Sequence, residues 1–574
     1  VSLVSPTFAM EVCKNKVSKS SSALLESAFR NPPFSSGVYT WWHWMNGNIT
    51  KDGITRDLEA MKANGIAGYQ LFEAGSGIPI GPVESLSDEW VDLILHTLKE
   101  SERLGLEFAM HNCPGWSSSG GPWITPDKAM QIITWSETKI TVGKQVRIQL
   151  PTPKHMFDYY IDTYCLAIPA NMKVIPRLSI LELSNRLDKD GVLTWDVPTG
   201  EWLIMRFGQT AKDQKNKSAP SKSTGLDCDK FSTEALDYHL NCMFKRLMPA
   251  MEKIAKHSKI GLLIDSYETG DQDWTSDMPA YFEQSHGYEL YPFLPVLANK
   301  IVESEESTKR FLFDFRRVRA DMFAERYYGH FQKRCKEKGI ITYTEPYGGN
   351  MMEELQVAQQ LDINMGEFWC GQTVLWANYK YNRTVKQVAS IAHTLGGKVV
   401  GAEAFTSEPD ADKWLQYPYA LKSLGDYMFT RGLSRIYFHR FAHQPHPTAA
   451  PGMTMGAWGL HFDRTNTWWK PGKAWIEYLN RCQYIFQSST FYGDILYHNG
   501  DDSFGSTIEP EQTLLAPPEG YDYDMVNTEM LDKAHIKDGK ILFPATRFDG
   551  YKLLVLLKSE TMSLHTLRIL ARLV

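Results

Sequence analysis

Eight short apolar runs alternate with helical patterns along most of the chain, from about residue 37. An uninterrupted apolar run suits a strand that is covered on both faces, as in a parallel sheet. Several intervening helical segments end in a glycine, as a helix C-cap would. The candidate strands are residues 37–47, 65–75, 105–116, 260–268, 340–346, 363–369, 398–405 and 433–443. The alternation predicts an α/β fold, a (β/α)8 barrel of the TIM type.

The alternation is interrupted once, after the third run. Residues 131–225 carry alternating strand patterns and a polar stretch, which predict an inserted β-rich module. Beyond residue 488, short strand-like runs and an amphipathic end indicate a smaller α/β domain that is cut short. We therefore expect five parts: an N-terminal segment (1–30), the first part of the barrel (31–130), the inserted module (131–225), the remainder of the barrel (226–487) and the truncated domain (488–574).

Charge and cysteine spacing exclude several classes of protein. The net charge of -6, with no basic stripe, argues against binding to nucleic acid or to an acidic membrane surface. No apolar stretch is long enough to predict a transmembrane helix. The eight cysteines show no C-x-x-C spacing, which argues against a zinc site or a disulfide scaffold. Thr7-Phe8-Ala9 fits a signal-peptide cleavage site, so we expect export to the periplasm or beyond.

Polar and aromatic residues follow every predicted strand, and acids follow five of them. In a (β/α)8 barrel the catalytic residues come from these C-terminal strand ends. Clustered carboxylates persist only if one holds a proton, a cation lies among them or water separates them. These conditions suit cleavage of a glycosidic bond, which needs one protonated carboxyl and one carboxylate. The candidates are His43, Asn46, Glu73, His111, Asn112, Trp116, Asp265, Glu268, Glu345, Glu367, Trp369, Glu403, His439 and His443.

Six motifs together resemble glycoside hydrolase family 106, the α-L-rhamnosidases. The resemblance runs from about residue 30 to the end of the chain, and "CPGWSSSGGPW" is long and compositionally unusual. The motifs are "HNCPGWSSSGGPWITPDKAMQ", "LDCDKFSTEALDYH", "IDSYE", "MGEFW", "GAEAFTS" and "NTWWKPGKAWIEYLNRCQY". The resemblance implies a (β/α)8 catalytic domain, inversion at the anomeric carbon and a calcium ion in the active site.

The resemblance also implies roles for individual acids. Glu268 in "DSYE" is similar to the family's general acid, and Glu403 in "GAEAF" to its general base. Asp265 could bind a sugar hydroxyl or help to keep Glu268 protonated by like-charge repulsion, or it could merely cap the strand exit. Calcium prefers six to eight oxygen ligands. The acids available for it are Glu367, Glu345 and Glu73, with a rhamnose diol completing the shell.

The remaining candidates are expected to bind the sugar. Trp116 and Trp369 would form a wall for its apolar face, unless they pack only at the rim of the barrel. His43, His111 and His439 could bind hydroxyl groups or be structural. Asn46 and Asn112 are further candidates for substrate binding.

The expected substrate is a terminal α-L-rhamnose on a polysaccharide or glycoside. One alternative is a retaining β-glycosidase, whose two carboxyl groups lie about 5 Å apart, whereas inversion needs roughly 6.5–9.5 Å to admit a water. The other is a carbohydrate-binding protein without catalysis. The sequence leaves the linkage, the aglycone and the oligomeric state open.

Overall fold

All eight predicted strands are present in the structure, a computed structural model, and they close into a parallel barrel. Neighbours around the barrel follow chain order, and the last strand pairs with the first. The predicted α/β architecture around eight parallel strands is therefore confirmed. The barrel strands, β1 to β8, are Tyr39–Met45, Gly68–Ala74, Glu107–His111, Ile260–Ile264, Ile341–Thr344, Ile363–Cys370, Gly401–Ser407 and Arg435–Ala442.

The structure describes residues 19–574 except for 76, 117–118, 142, 257–258, 371–374, 398, 408–413, 457, 503 and 558–560, and it leaves out the side chains of 19–24 and 375–382. The predicted cleavage site at Thr7-Phe8-Ala9 lies outside the described residues. So do Ser117 and Ser118, which belong to the longest of the six motifs.

Strand β1, with the sequence YTWWHWM, is buried along its whole length. Successive side chains of a strand point to opposite faces. Trp42 and Trp44 accordingly pack in the large core shared with the surrounding helices, whereas Tyr39 and Trp41 belong to the cluster inside the barrel. The inner cluster also contains Phe72, Ala109, Leu263, Tyr343, Met365 and Tyr437.

Helices connect successive strands of the barrel. The first two end at the predicted glycine caps, Gly65 (φ 87°) and Gly105 (φ 65°), and at their N-termini Thr50 and Ser87 accept hydrogen bonds. Both glycines adopt the left-handed conformation that glycine tolerates best. The connecting helices are Lys51–Asn64, Asp88–Leu104, Thr233–Phe244, Met248–Ile254, Met278–His286, Leu294–Leu297, Glu305–Met322, His330–Lys336, Glu354–Ala358, Leu375–Ile391 and Pro418–Thr430, with π-helical turns at Phe323–Gly329 and Ala392–Gly396; the helix Lys473–Ser488 follows β8.

An antiparallel sheet lies between β3 and β4 in the chain. Trp202–Ala211 pairs on one side with Gln131–Ile140 and on the other with Ile161–Pro169, to which the short strand Leu181–Glu182 adds. A separate antiparallel pair is formed by Gln145–Gln149 and Val192–Asp196. Shorter paired strands are Gly120–Gly121 with Leu226–Asp227, and Val174–Ile175 with Ile301–Val302.

A second parallel sheet follows the barrel. Ile495–His498 lies at its centre, between Tyr523–Val526 and Leu553–Leu556. This region has its own hydrophobic core. Its other elements are the hairpin of His535–Lys537 with Lys540–Leu542 and the helices Thr528–Asp532 and Leu564–Leu573; the remaining described helix is Lys19–Arg30, before β1.

Across the described residues, every helix is too short or too polar to traverse a lipid bilayer. The described cysteines are free thiols, and most are buried. Cys13 is outside the described part of the chain.

A buried carboxylate reinforces the closure between β1 and β8. Asp57, in the helix that follows β1, accepts hydrogen bonds from the indole of Trp42 (3.2 Å) and from the backbone amide of Gln444 (3.0 Å). Its oxygens also lie 2.8 Å from His443 Nδ1 and 2.7 Å from Arg464 Nε. The strand-exit candidate His443 is thus a structural residue that joins β8 to this helix.

We expect Asp57→Ala to destabilise the protein by about 3–5 kcal/mol, because it leaves the buried partners of the carboxylate unpaired. Asp52→Ala is the matched control, since Asp52 lies in the same helix but forms only an exposed ion pair with Arg56. Chemical denaturation of both variants provides the measurement. Equal effects of the two substitutions would contradict the role assigned to Asp57.

Candidate active site

Four buried acids meet at the C-terminal ends of adjacent barrel strands. Asp265 directly follows β4, Glu345 follows β5, Glu367 lies in β6 and Glu403 lies in β7. Glu367 and Glu403 are paired across the two strands. The carboxylates of Asp265, Glu345 and Glu403 each place an oxygen within 4.8 Å of the others. We refer to these three residues as the acid cluster.

Burial makes the acid cluster hard to ionise. The pKa values of Asp265, Glu345 and Glu403 are all raised well above their usual range, first by loss of solvent and then by neighbouring negative charge. Asp265 Oδ1 and Glu345 Oε1 are buried without a hydrogen-bond partner among the described residues. Such atoms are costly unless a proton or a cation satisfies them. The cluster therefore offers carboxylate oxygens without partners, and such oxygens suit a site for a hard cation.

Glu345, Glu403 and Glu367 each have one carboxylate oxygen with a defined hydrogen-bond partner. The hydroxyl of Tyr347 donates to Glu345 Oε2 at 2.5 Å, and the hydroxyl of Thr406 donates to Glu403 Oε1. Glu367 Oε1 accepts a hydrogen bond of 2.5 Å from the Trp369 indole. These contacts fix the orientation of each carboxylate.

Glu268, four residues beyond the end of β4, is exposed. Its side chain is 42% accessible, and its Oε2 accepts a hydrogen bond of 3.0 Å from the Trp116 indole and lies 2.7 Å from Lys217 Nζ. The charge of Glu268 also contributes to the raised pKa of Asp265 and of Glu403. The exposed carboxylate therefore lies close enough to the buried acids for its charge to affect them.

Histidines lie beside the acids. His439 Nδ1 lies 3.4 Å from Glu403 Oε1, and the ring centroids of His439 and His43 are 5.5 Å apart. Burial is the main cause that lowers the pKa of both histidines well below 6.5, which favours neutral rings. Both ring nitrogens of His43 are buried without a partner among the described residues.

His111 is engaged within the protein. Its Nδ1 lies 3.0 Å from the carbonyl oxygen of Cys113, and its Nε2 accepts a long hydrogen bond (3.4 Å) from the amide of Asp265. Burial lowers its pKa to about 4. The neutral ring therefore supports the backbone from which Asp265 projects.

Three other candidates are tied to neighbouring protein groups. Asn46 bonds the backbone of Ile78 (2.6 Å) and Ser221 (3.0 Å), which holds two loops together. Asn112 is buried and donates to the carbonyl of Leu263 on β4 (2.8 Å). Glu73, at the end of β2, is buried and accepts a hydrogen bond from Ser85. The structure does not bring Glu73 into the acid cluster.

Three further residues contact the acids although the sequence analysis does not predict them: Lys217, Tyr347 and Thr406. Lys217 lies in the polar stretch that was assigned to the inserted module, far in the chain from Glu268. Thr406 falls inside the "GAEAFTS" motif, and Tyr347 follows Glu345 by two residues, so both had a local signal. Lys217 had none, because only folding brings its loop to β4.

Comparison with known proteins identifies the family. The sequence model of glycoside hydrolase family 106, described as alpha-L-rhamnosidase, matches residues 30–162 and 152–574. The chain belongs to this family. The expected membership is confirmed over nearly the whole chain, and the acid-rich end of the barrel is accordingly a candidate glycosidase site.

Two individual proteins are similar to this family 106 member. A protein of Formosa agariphila, whose name assigns it provisionally to the beta-glucuronidases, is 39% identical over 575 residues. That alignment covers 95% of this chain but only 48% of the relative, so the chain spans about half the relative's length. A rhamnosidase structure from Novosphingobium sp. PP1Y matches with a TM-score of 0.84 at 24% identity, covering 96% of this chain and 68% of that one. This second match supports the fold.

The buried carboxyl group of Glu73 should make the stability of the protein depend on pH. Burial raises its pKa to about 7, so the folded state binds its proton more tightly than the unfolded state does. The stability that this proton contributes is complete at low pH and is lost as the pH rises through about 7. The uncharged variant Glu73→Gln escapes that loss. Its stability relative to the native protein should rise by up to about 3 kcal/mol between pH 4.5 and pH 8.

Urea denaturation of both proteins at the two pH values measures this difference. Other titrating groups cancel in the comparison, since both proteins contain them. A difference in unfolding free energy that is the same at both pH values would contradict the prediction.

Proposed function

We propose that the protein is a hydrolase that removes terminal α-L-rhamnose from a polysaccharide or glycoside with inversion of configuration. One observation carries the proposal: the exposed Glu268 lies at the same end of the barrel as the buried Glu403, close enough for its charge to help raise the pKa of Glu403. An acid and a base in different environments are what glycosidic cleavage needs. Family membership supports the same reaction class.

Glu268 is the proposed general acid. Its exposed carboxyl group can reach a leaving oxygen at the mouth of the barrel, and Trp116 and Lys217 hold it there. Its proton would pass to the glycosidic oxygen as the bond from that oxygen to the anomeric carbon breaks. Protonation removes the charge that would otherwise develop on the leaving group.

Glu403 is the proposed general base. Its raised pKa makes the ionised form a stronger base, and the hydrogen bond from Thr406 favours ionisation against the effect of burial. It would take a proton from a water whose oxygen attacks the anomeric carbon from the face opposite the leaving group. One displacement of this kind converts an α-rhamnoside into β-rhamnose.

We further propose a calcium site at Asp265 and Glu345, whose partnerless oxygens fit a cation with oxygen ligands. When bound, Ca2+ would supply positive charge among the acids and open coordination positions for sugar hydroxyls. Of the three acids predicted from the sequence to bind calcium, Glu345 remains a proposed ligand. Glu367 lies beside the cluster and accepts a hydrogen bond from Trp369, and Glu73 bonds Ser85 outside the cluster, so neither is proposed as a calcium ligand.

The name of the Formosa agariphila relative raises β-glucuronide as a second candidate substrate. Glucuronate is an anion, so binding of its carboxylate would need a cationic side chain of the protein. The cation nearest to Glu268, Lys217, is already paired with that acid. A neutral deoxy sugar fits this charge distribution better.

The proposed division of the chain into domains is the one predicted from the sequence. We assign the eight strand-helix units to a (β/α)8 barrel, with residues 131–225 as an inserted module and residues 488–574 as a separate α/β region. Export from the cytoplasm remains a prediction, which cell fractionation would test.

Turnover of p-nitrophenyl α-L-rhamnoside and failure to cleave p-nitrophenyl β-D-glucuronide are the results that the proposal requires. The product should appear first as the β anomer, which NMR of the fresh reaction detects. Cleavage of the glucuronide alone would favour the second candidate, and initial release of the α anomer would overturn inversion.

Substitutions of Glu403 and Glu268 should affect catalysis differently, because one residue is the proposed base and the other the proposed acid. Glu403→Gln should lower kcat about 10²–10⁴-fold on every rhamnoside, because each reaction needs an activated water. Glu268→Gln should cause a similar loss on a rhamnosyl disaccharide but a much smaller loss on the p-nitrophenyl substrate, whose leaving group needs little protonation. Steady-state kinetics on both substrates measure the contrast.

Glu306→Gln is the matched control, since Glu306 lies on the surface in an ion pair with Arg310. Its kinetics should equal those of the native protein. If Glu268→Gln lost equal activity on both substrates, the acid assignment would be wrong.

Calcium binding is expected to depend on the two acids with partnerless oxygens. Isothermal titration of the EDTA-treated protein should show one Ca2+ bound, and Glu345→Gln should weaken this binding at least tenfold because a charged ligand is removed. Glu306→Gln should bind as the native protein does. Unchanged affinity in Glu345→Gln would place any calcium elsewhere.

A further inference from the structure

Two tryptophans near the acid-rich end of the barrel remain largely in water. The Trp458 side chain is 46% exposed and that of Trp414 is 57% exposed. A large exposed aromatic surface often marks a site of interaction. Tryptophan offers a flat apolar face together with a polar edge, which suits sugar rings and aryl groups.

Hydrogen bonds fix the loop of Trp458 to the strands that carry the reactive groups. The carbonyl oxygen of Trp458 accepts a hydrogen bond of 2.8 Å from the buried Arg440 of β8. The amide of Gly459 donates to the carbonyl of Ser407 at the end of β7, and the next amide donates to the carbonyl of His439. The backbone at Trp458 is therefore held at the ends of the two strands that carry Glu403 and His439.

Trp458 contacts the buried acids through a second tryptophan, Trp369. Its ring centroid lies 6.1 Å from that of Trp369, with the two planes nearly perpendicular at 86°. The Trp369 indole donates to Glu367, which pairs with Glu403 across β6 and β7. A line of contacts thus leads from the proposed base, through one tryptophan, to an exposed second tryptophan.

Trp414 is attached to the same loop. Its ring lies 4.1 Å from the His461 ring, with an interplanar angle of 32°. His461 in turn bonds the carbonyl of Gly456, two residues before Trp458 in the chain. Both exposed indoles are therefore held by one loop, on the β7–β8 side of the barrel end.

We propose that Trp458, together with Trp414 on the other side of His461, forms an aglycone platform, a surface that binds the ring on the far side of the bond to be cleaved. This inference rests on the proposed function, since it assigns the leaving group of that reaction to a surface. The occupant is the next sugar ring of a glycan or an aryl aglycone, with its C–H or aromatic face against the indole. The acids bind the rhamnose, and the tryptophans select what it is attached to.

The test compares two substrates that share the rhamnose. α-L-Rhamnosyl fluoride has no ring in its leaving group, whereas p-nitrophenyl α-L-rhamnoside has an aryl ring. Trp458→Ala should lower the ratio of kcat/KM for the aryl substrate to kcat/KM for the fluoride about tenfold, mainly through KM. Trp458→Phe, which keeps an aromatic face, should restore most of the ratio.

The matched control is Tyr521→Ala, which removes an aromatic side chain that is 54% exposed and lies in the region after the barrel. Its ratio should equal that of the native protein. An unchanged ratio in Trp458→Ala would overturn the platform, as would an equal drop in the control. A native protein that cleaved neither substrate would instead refute the proposed function, so the two failures are distinguishable.

Discussion

The pairing of β8 with β1 is the constraint on which the rest of the structure depends. It turns an open parallel sheet into a barrel, and in a barrel the C-terminal ends of all strands face one shared space. Asp57 supports this closure from outside by binding residues that belong to both strands or follow them. Without closure, acids on β4 and β7 would lie on distant parts of a sheet.

The acid cluster works against the stability of the fold that holds it. Three buried carboxyl groups with raised pKa values, two of which have an oxygen without a partner, cost free energy that well-packed apolar residues would not. The barrel can contain such a group because large hydrophobic clusters pack on both the inside and the outside of its strands. An arrangement so unfavourable for folding is most readily understood as a site for a proton, a cation or a substrate.

The two proposed catalytic acids differ in what positions them. Glu403 projects from a strand and is held by the threonine of its own motif. Glu268 lies in a loop, and its partners come from the loop after β3 and from the polar stretch that follows the inserted sheet. The rigid barrel thus places the base, whereas the inserted segment helps to place the acid. An accessory segment of this kind allows the outer part of a site to vary while the barrel stays the same.

Local signals in the sequence, namely apolar periodicity, glycine caps and strand-end polarity, were enough to predict the eight strands, their parallel arrangement and the acids at their ends. Its motifs also indicated the family. Which acids meet depends on how the chain folds: Glu345 joins Asp265 and Glu403, whereas Glu73 bonds Ser85 instead. The same holds for Lys217 at Glu268, since contacts between residues far apart in the chain depend on how loops fold over the barrel, and no local pattern encodes that.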